Sequence, residues 1–264
     1  MSERNADDLR SQFSRDGFTT QESLVPADLL ERVTAHMDAV TAGDYETGRT
    51  PNHHRIKPDD ATEIIKIDNA HLSDHTLMEL VSYPALGAFA ATVMDAAMVQ
   101  VWAVQLLIKP PGGTPSGHVG WHQDFQYWHS KWEPDSEVFT LWVAINDVTA
   151  DMGPMCMLRG SNQWGFHKDI GDFFDSDIEK HLEQIRGLGA GPIDEVPILL
   201  NPGGASLHAR LTYHGSAANT STQPRRSFAI HLRTERSKVL PGAEDSEYVR
   251  DLGDLERCPI IYSA

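Results

Sequence analysis

Apolar positions change their period partway along the chain. Between residues 26 and 41, Leu29, Leu30, Val33, Met37 and Val40 recur at helical spacing, opened by Pro26 and closed near Gly43, which predicts an amphipathic helix. A second helical pattern covers 74–96, with Leu77, Leu80, Val81, Leu86, Phe89 and Val93 on one side and an interruption at Pro84. Beyond it the segments 98–108, 137–149, 154–158, 204–213 and 226–234 are short, rich in β-branched and aromatic residues, and separated by Gly and Pro, so they read as strands. In the last of them Phe228, Ile230 and Leu232 alternate with Ala229, His231 and Arg233, the pattern of a strand with one face on an apolar core. Two stretches lack periodicity. Residues 42–60, rich in Gly, Pro, Asn and His, read as a loop able to act as a lid, and 165–195 as a long, acidic, partly helical insertion between strands.

Helices followed by serial strands predict a mainly β fold, a jelly-roll or cupin-like barrel of the double-stranded β-helix type, with N-terminal helices packed outside. The length of 264 residues fits one domain over 1–264: a helical N-terminal part (about 1–97), a jelly-roll core (about 98–235) and a C-terminal tail (236–264). Apolar residues at 40% and charged residues at 23% mark a folded protein. A formal charge of −16 repels polyanions, so nucleic acid and acidic membrane surfaces are excluded as expected partners. No uninterrupted apolar run approaches the roughly 18–20 residues of a membrane span. The acidic start MSERNADDLR lacks the basic and apolar parts of a signal peptide, so a cytoplasmic location is expected. Cys156 and Cys258 are too few for a disulfide framework or a thiolate zinc cage.

Thirteen histidines make imidazole placement the place to look for chemistry. Two histidines and one carboxylate on one face of an iron leave positions open for a bidentate cosubstrate and dioxygen, and the local signature is His-x-Asp on a strand. The signature is weak alone: about one occurrence is expected by chance from this composition. Three occur. His36/Asp38 lies on the first predicted helix, where such positions do not face each other, and reads as solvated surface. His167/Asp169 lies in the polar insertion and reads as exposed loop. His122/Asp124 sits in GWHQDFQYW, with apolar and aromatic neighbours that suit a shared cavity. For the distant third ligand the candidates are His208, His214 and His231, of which His214 is favoured because it ends the strand running from Gly204 and precedes Gly215 and Ser216. Arg225, eleven residues on, could clamp the far carboxylate of a dicarboxylic cosubstrate through two parallel hydrogen bonds.

From about Phe13 to Arg233 the sequence resembles the phytanoyl-CoA dioxygenase family of iron(II), 2-oxoglutarate oxygenases. FSRDGFTTQESLVPADLLERV, IIKIDNAH, LLIKPPGG, WHQDFQYW and LWVAINDVTADMGPMCMLRGSNQWG match its blocks in order. The resemblance implies Fe(II) held by His122, Asp124 and His214, with 2-oxoglutarate and O2 as cosubstrates. It places Lys66, Trp142 and Ser216 beside 2-oxoglutarate and Arg225 on its distal carboxylate, with Arg226 the nearest competitor for that clamp; Gln105 is a further candidate for the 2-oxoglutarate site or the pocket wall. Two departures stand out: RGSN replaces the family's PGSH loop, and Gly203-Gly204-Ala205 replaces its usual Gly-Asp. Neither removes a ligand or the clamp.

The implied reaction decarboxylates 2-oxoglutarate to succinate and CO2 while oxidising a C–H bond of a small-molecule substrate, a metabolite or natural-product intermediate of secondary metabolism. The carboxylate at Asp124 favours hydroxylation over halogenation; desaturation, epimerisation and ring closure start from the same hydrogen abstraction. Phe125, Tyr127, Trp128 and Trp132 are candidate walls of the substrate pocket, as are His53 and Arg55 on the 42–60 loop. Phytanoyl-CoA itself is not expected: IIYSA is no peroxisomal address and no basic cluster suits CoA phosphates. The rival classes are a metal hydrolase on the same ligands and a non-catalytic cupin-like binding protein.

Overall fold

The computed structural model describes residues 5–55, 63–114 and 117–264, with the side chains of His54 and Arg55 outside that description. Its helices fall where the apolar stripes put them. α1 (Ala6–Asp16) is capped by Asn5, whose side chain accepts from Asp7 N at 3.2 Å. α2 (Ala27–Thr41) buries the five apolar residues of the first stripe. α3 (His75–Val81) and α4 (Pro84–Met94) divide the second stripe at Pro84, which opens the new helix at its first position, where a missing N–H costs nothing. By length and composition the stretch His75–Met94 could cross a membrane, which counting uninterrupted apolar runs does not register. Its Leu77, Leu80, Val81, Leu86, Phe89 and Val93 are instead buried in the main core.

The strands are β1 (Phe18–Gln21), β2 (His53–Arg55), β3 (Ile65–Asp68), β4 (Met98–Lys109), β5 (Val119–His122), β6 (Val138–Ala144), β7 (Cys156–Leu158), β8 (Glu195–Pro197), β9 (Ala205–Ala209), β10 (His214–Ser216), β11 (Arg225–Thr234) and β12 (Ile260–Ser263). The major sheet runs β1-β9-β6-β11-β4-β3-β2, with β12 also on β4; the minor sheet runs β5-β10-β7-β8, and all pairings are antiparallel. These are the two curled antiparallel sheets of a jelly roll. β1–β3 and β12 come from the stretches flanking 98–235, so the sheet draws on both ends of the chain. β2 also makes a strand of part of the segment 42–60.

Register explains how the site is assembled. Asp68, Gln105, Ala229, Trp142 and Ser206 form one row across β3, β4, β11, β6 and β9, and Ala103, His231, Thr140, His208 and Phe18 form the next inward-facing row. Alternation at period two sends these side chains to one face. Leu106, Phe228, Ile230, Leu141, Val143 and Leu207 go to the other, where they join the helices in the main core. The apolar alternation of β11 is therefore a helix-facing surface, and its intervening residues face the interior of the barrel.

His214 corrects an expectation. It does not end a strand running from Gly204: β9 stops at Ala209 in the major sheet, residues 210–213 turn the corner, and His214 opens β10 in the minor sheet. The corner is pinned by Thr212, whose hydroxyl donates to Gly17 O at 2.8 Å and whose N–H donates to Ala209 O at 2.9 Å.

Candidate metal and cosubstrate site

β5 carries His122 and lies in register with β10, so that His122 pairs with His214 and their rings sit 4.2 Å apart. Asp124 is not on the strand. β5 ends at His122, and Asp124 is the residue just before the short helix α5 (Phe125–Trp128), its carboxylate turned away from the helix end. The intervening Gln123 is fully buried and fixes this corner: its amide donates to Gly165 O at 2.9 Å and Leu211 O at 2.8 Å, and its carbonyl accepts from His167 N at 3.0 Å. The two residues thus reach one point through a strand end and a turn rather than through strand alternation.

His122, Asp124 and His214 are buried, with their potential ligand atoms within 4.8 Å of one another. The hydrogen bonds leave one lone pair of each directed at the shared point. His122 Nδ1 donates to Gly120 O at 2.8 Å and His214 Nδ1 to Thr212 O at 3.0 Å, which fixes both tautomers with a bare Nε2. Asp124 Oδ2 accepts from Thr140 Oγ1 at 2.6 Å and from His208 Nε2 at 3.2 Å, leaving Oδ1 at 3.8 Å from each Nε2. Because the single Thr140 proton goes to Asp124, the 3.0 Å contact with His231 Nδ1 must be donated by the imidazole. Burial pulls both His122 and His214 below the usual imidazole range, so they stay neutral and able to ligate. Burial would raise Asp124, but the electrostatic pull of the surrounding imidazoles, led by His214, and the bond from His208 hold it well below the usual carboxylate range. Two neutral imidazoles and an ionised carboxylate, each oriented from behind, fit a divalent transition metal.

The triad opens into a cavity of about 230 Å³ that Arg225 also lines. Arg225 is buried; its guanidinium lies 5.3 Å from the Trp142 ring and donates through Nη1 to Gly153 O, and no acidic side chain pairs with it among the described residues. Burial lowers its pKa to about 10, so it stays cationic at neutral pH. Its neighbour Arg226 points to the other side of β11 and pairs with Asp38 on α2 at 2.9 Å. Trp142, Ser216 and Gln105 line the same cavity. Lys66 reaches it too, but its ammonium is bound by the Asp68 carboxylate.

Of the expected substrate walls, Tyr127 and Trp128 line the cavity. Phe125 and Trp132 do not: they pack in a buried aromatic cluster, Phe125 against Phe166 at 5.1 Å and Trp132 against Trp102 at 5.5 Å. His53 is exposed and pairs with Glu247 at 3.0 Å, away from the cavity wall, and the Arg55 side chain lies outside the described residues. His36, read as solvated surface, is half-buried and bonds Asp74 at 2.7 Å. Sequence reasoning missed Ile64, Met155, Phe173 and Phe174 as wall residues, and His208, Thr140 and His231 as the support of Asp124.

Phe173 and Phe174 come from the 165–195 insertion, which is held on the metal strand by Gly120 N donating to Phe173 O at 3.1 Å. This approach needs two glycines. A Cβ on Gly120 would stand 2.1 Å from Asp172 O, and one on Gly171, where φ is +87°, would stand 1.7 Å from Trp121 O. Gly171→Ala is expected to lose roughly 2–4 kcal/mol of stability in urea unfolding, whereas Gly165→Ala, where φ is also positive but nothing lies within 4 Å, should lose less.

The chain is similar to known 2-oxoglutarate-dependent oxygenases. A probable alpha-ketoglutarate-dependent hypophosphite dioxygenase of Stutzerimonas stutzeri is 22% identical over 221 residues, covering 81% of this chain and 73% of that one. An ectoine dioxygenase of Halomonas elongata is 23% identical over 252 residues, covering 91% and 74%. Among solved structures, iron-bound EctD from S. alaskensis superposes with a TM-score of 0.72 at 19% identity over 93% of this chain and 83% of its own. The epimerase SnoN from nogalamycin biosynthesis gives 0.69 at 17% identity over 97% and 98%, and these likenesses establish the jelly-roll fold. The sequence pattern described as phytanoyl-CoA dioxygenase (PhyH) matches residues 13–227, and the chain belongs to that family of iron- and 2-oxoglutarate-dependent dioxygenases.

Proposed function

We propose that this enzyme hydroxylates a small metabolite or natural-product intermediate at an unactivated C–H bond, with Fe(II) held by His122, Asp124 and His214 and 2-oxoglutarate clamped by Arg225. The observation that carries the reading is the convergence of three unshared donor atoms and one buried guanidinium without an acidic partner on a single cavity. Iron and 2-oxoglutarate, when bound, supply the oxidising chemistry; the side chains bind, orient and exclude water. Arg225 has Nε unpaired and buried, so a carboxylate there would satisfy it through charge-assisted bonds. The Trp142 ring lies beside the guanidinium, 5.3 Å from its carbon to the ring centroid, and limits where the ligand's chain can lie.

The rest of the cavity suits a substrate with an apolar or aromatic body. Tyr127, Trp128, Phe173 and Met155 line it, and Phe174, half exposed, stands at the mouth. Tyr127 Oη accepts from Phe173 N at 2.8 Å, which links α5 to the insertion across that opening. Asp124 as a carboxylate supports hydroxylation over halogenation. A metal hydrolase on the same three side chains leaves Arg225 without a task. Free thiols at Cys156 and Cys258 suit a reducing, cytoplasmic setting.

Anaerobic addition of Fe(II) and 2-oxoglutarate is expected to give the weak visible charge-transfer band of the chelated 2-oxo acid, and a metabolite screen to identify the substrate by stimulated succinate release. Iron binding without that band rules the reading out.

A further inference from the structure

Lys109, the last residue of β4, is fully buried, and no acidic side chain pairs with it among the described residues. Its register partner across the β4–β11 ladder is Arg225, the other buried cation of the site. Burial, followed by the charge of Arg225, pulls the Lys109 ammonium well below its usual range. Two adjacent buried cations oppose each other, and a fold that keeps both calls for an anion nearby.

Lys109 does not itself line the cavity, whereas Ser216 and Arg225 do. Its ammonium is used up behind the wall: Nζ donates to Ser216 Oγ at 2.6 Å, to Ala217 O, and at 3.4 Å to Ser216 O. With an anion in the cavity offsetting the charge of Arg225, Lys109 is an ammonium, which only donates, so Ser216 Oγ is the acceptor of that bond and its own hydroxyl proton must go elsewhere. The open side of Ser216 is the cavity.

Resting on the reading of Arg225 given above, we propose that Lys109 is a positioning residue for the distal carboxylate of the cosubstrate. By donating to Ser216 Oγ and tying down the chain at Ala217, it turns the Ser216 hydroxyl into a donor aimed at the carboxylate that Arg225 also holds. The relay Lys109 to Ser216 to ligand adds selectivity for a 2-oxo acid with a second carboxylate. Carrying the effect through Ser216 separates this role from that of a lysine that merely fastens the exit of β10.

The test uses the Fe(II)-loaded protein under anaerobic conditions, titrated with 2-oxoglutarate and with 2-oxopentanoate, which has the same chain length and no distal carboxylate; binding is read from the visible band. Lys109→Met and Ser216→Ala should each weaken 2-oxoglutarate about tenfold and leave 2-oxopentanoate unchanged. The double variant should be no weaker than either single one, because both remove the same relay. Equal weakening of both ligands, no weakening, or a double variant that multiplies the single effects overturns the proposal. If Lys109→Met does not fold, Ser216→Ala decides by the same ratio: a preference for the dicarboxylate as strong as in the wild type overturns it. Arg225→Ala separates the two levels. If it keeps that preference, the reading of Arg225 falls; if it alone loses the preference, only the relay falls.

Discussion

Asp124→Ala should abolish succinate formation while leaving the chain folded. Of its two carboxylate oxygens, Oδ2 is committed to Thr140 and His208, and Oδ1 faces the Nε2 atoms of His122 and His214 at 3.8 Å. Alanine removes the one anionic donor of the triad and leaves two neutral imidazoles, a weaker hold on a divalent metal with an altered set of open positions. Stability responds to opposing terms. Thr140 and His208 lose their acceptor, at about 1–3 kcal/mol for each buried group left unpaired, and the desolvation of a buried carboxylate disappears. The melting temperature should therefore move by a few degrees at most, about what a residual 1 kcal/mol gives for a chain of this size. Succinate release from 2-oxoglutarate, measured beside thermal unfolding, checks both halves. Wild-type amounts of succinate from a folded Asp124→Ala protein would refute the metal assignment.

The legible parts of this site were those whose signal is local. Alternation along β11 separated a helix-facing row from an inward row, and the inward row did carry cavity residues, Ala229 and His231. His122 and Asp124 were legible by spacing although the expected reason differs, since the strand ends at His122 and a buried Gln123 turns the corner. The break before His214 was hidden because residues 210–213 read Arg-Leu-Thr-Tyr, without the Gly or Pro that usually marks a turn. Phe125 and Trp132 show the limit of aromatic runs: α5 turns Phe125 to the core and Tyr127 to the cavity, Trp132 lies beyond the helix in a bridge to Val239, and the sequence states neither the helix phase nor that pairing. Phe173, Phe174 and Lys109 were invisible for another reason. The first two lie in an aperiodic insertion held by the space above Gly120 and Gly171, and a strand-ending lysine ordinarily belongs to the surface. Long-range packing decides all three.

Arg225→Ala should raise the KM for 2-oxoglutarate by about 10²-fold or more and change the requirement for iron little. Two charge-assisted hydrogen bonds to a buried carboxylate contribute roughly 1.5–3 kcal/mol each, and alanine leaves the bound carboxylate without them. Arg226→Ala is the internal control. The two residues are adjacent in sequence and opposite in direction: Arg225 faces the cavity beside Trp142, and Arg226 reaches Asp38 on α2 in a partly exposed pair. A pair of that kind contributes about 0–1 kcal/mol to stability, so Arg226→Ala should keep wild-type KM values for both iron and 2-oxoglutarate. Separate titrations of metal and cosubstrate under steady-state turnover distinguish the two variants. A large rise in the 2-oxoglutarate requirement for Arg226→Ala, with Arg225→Ala near wild type, would show that the cosubstrate carboxylate is held outside this cavity. That result would detach the buried guanidinium from the chemistry altogether.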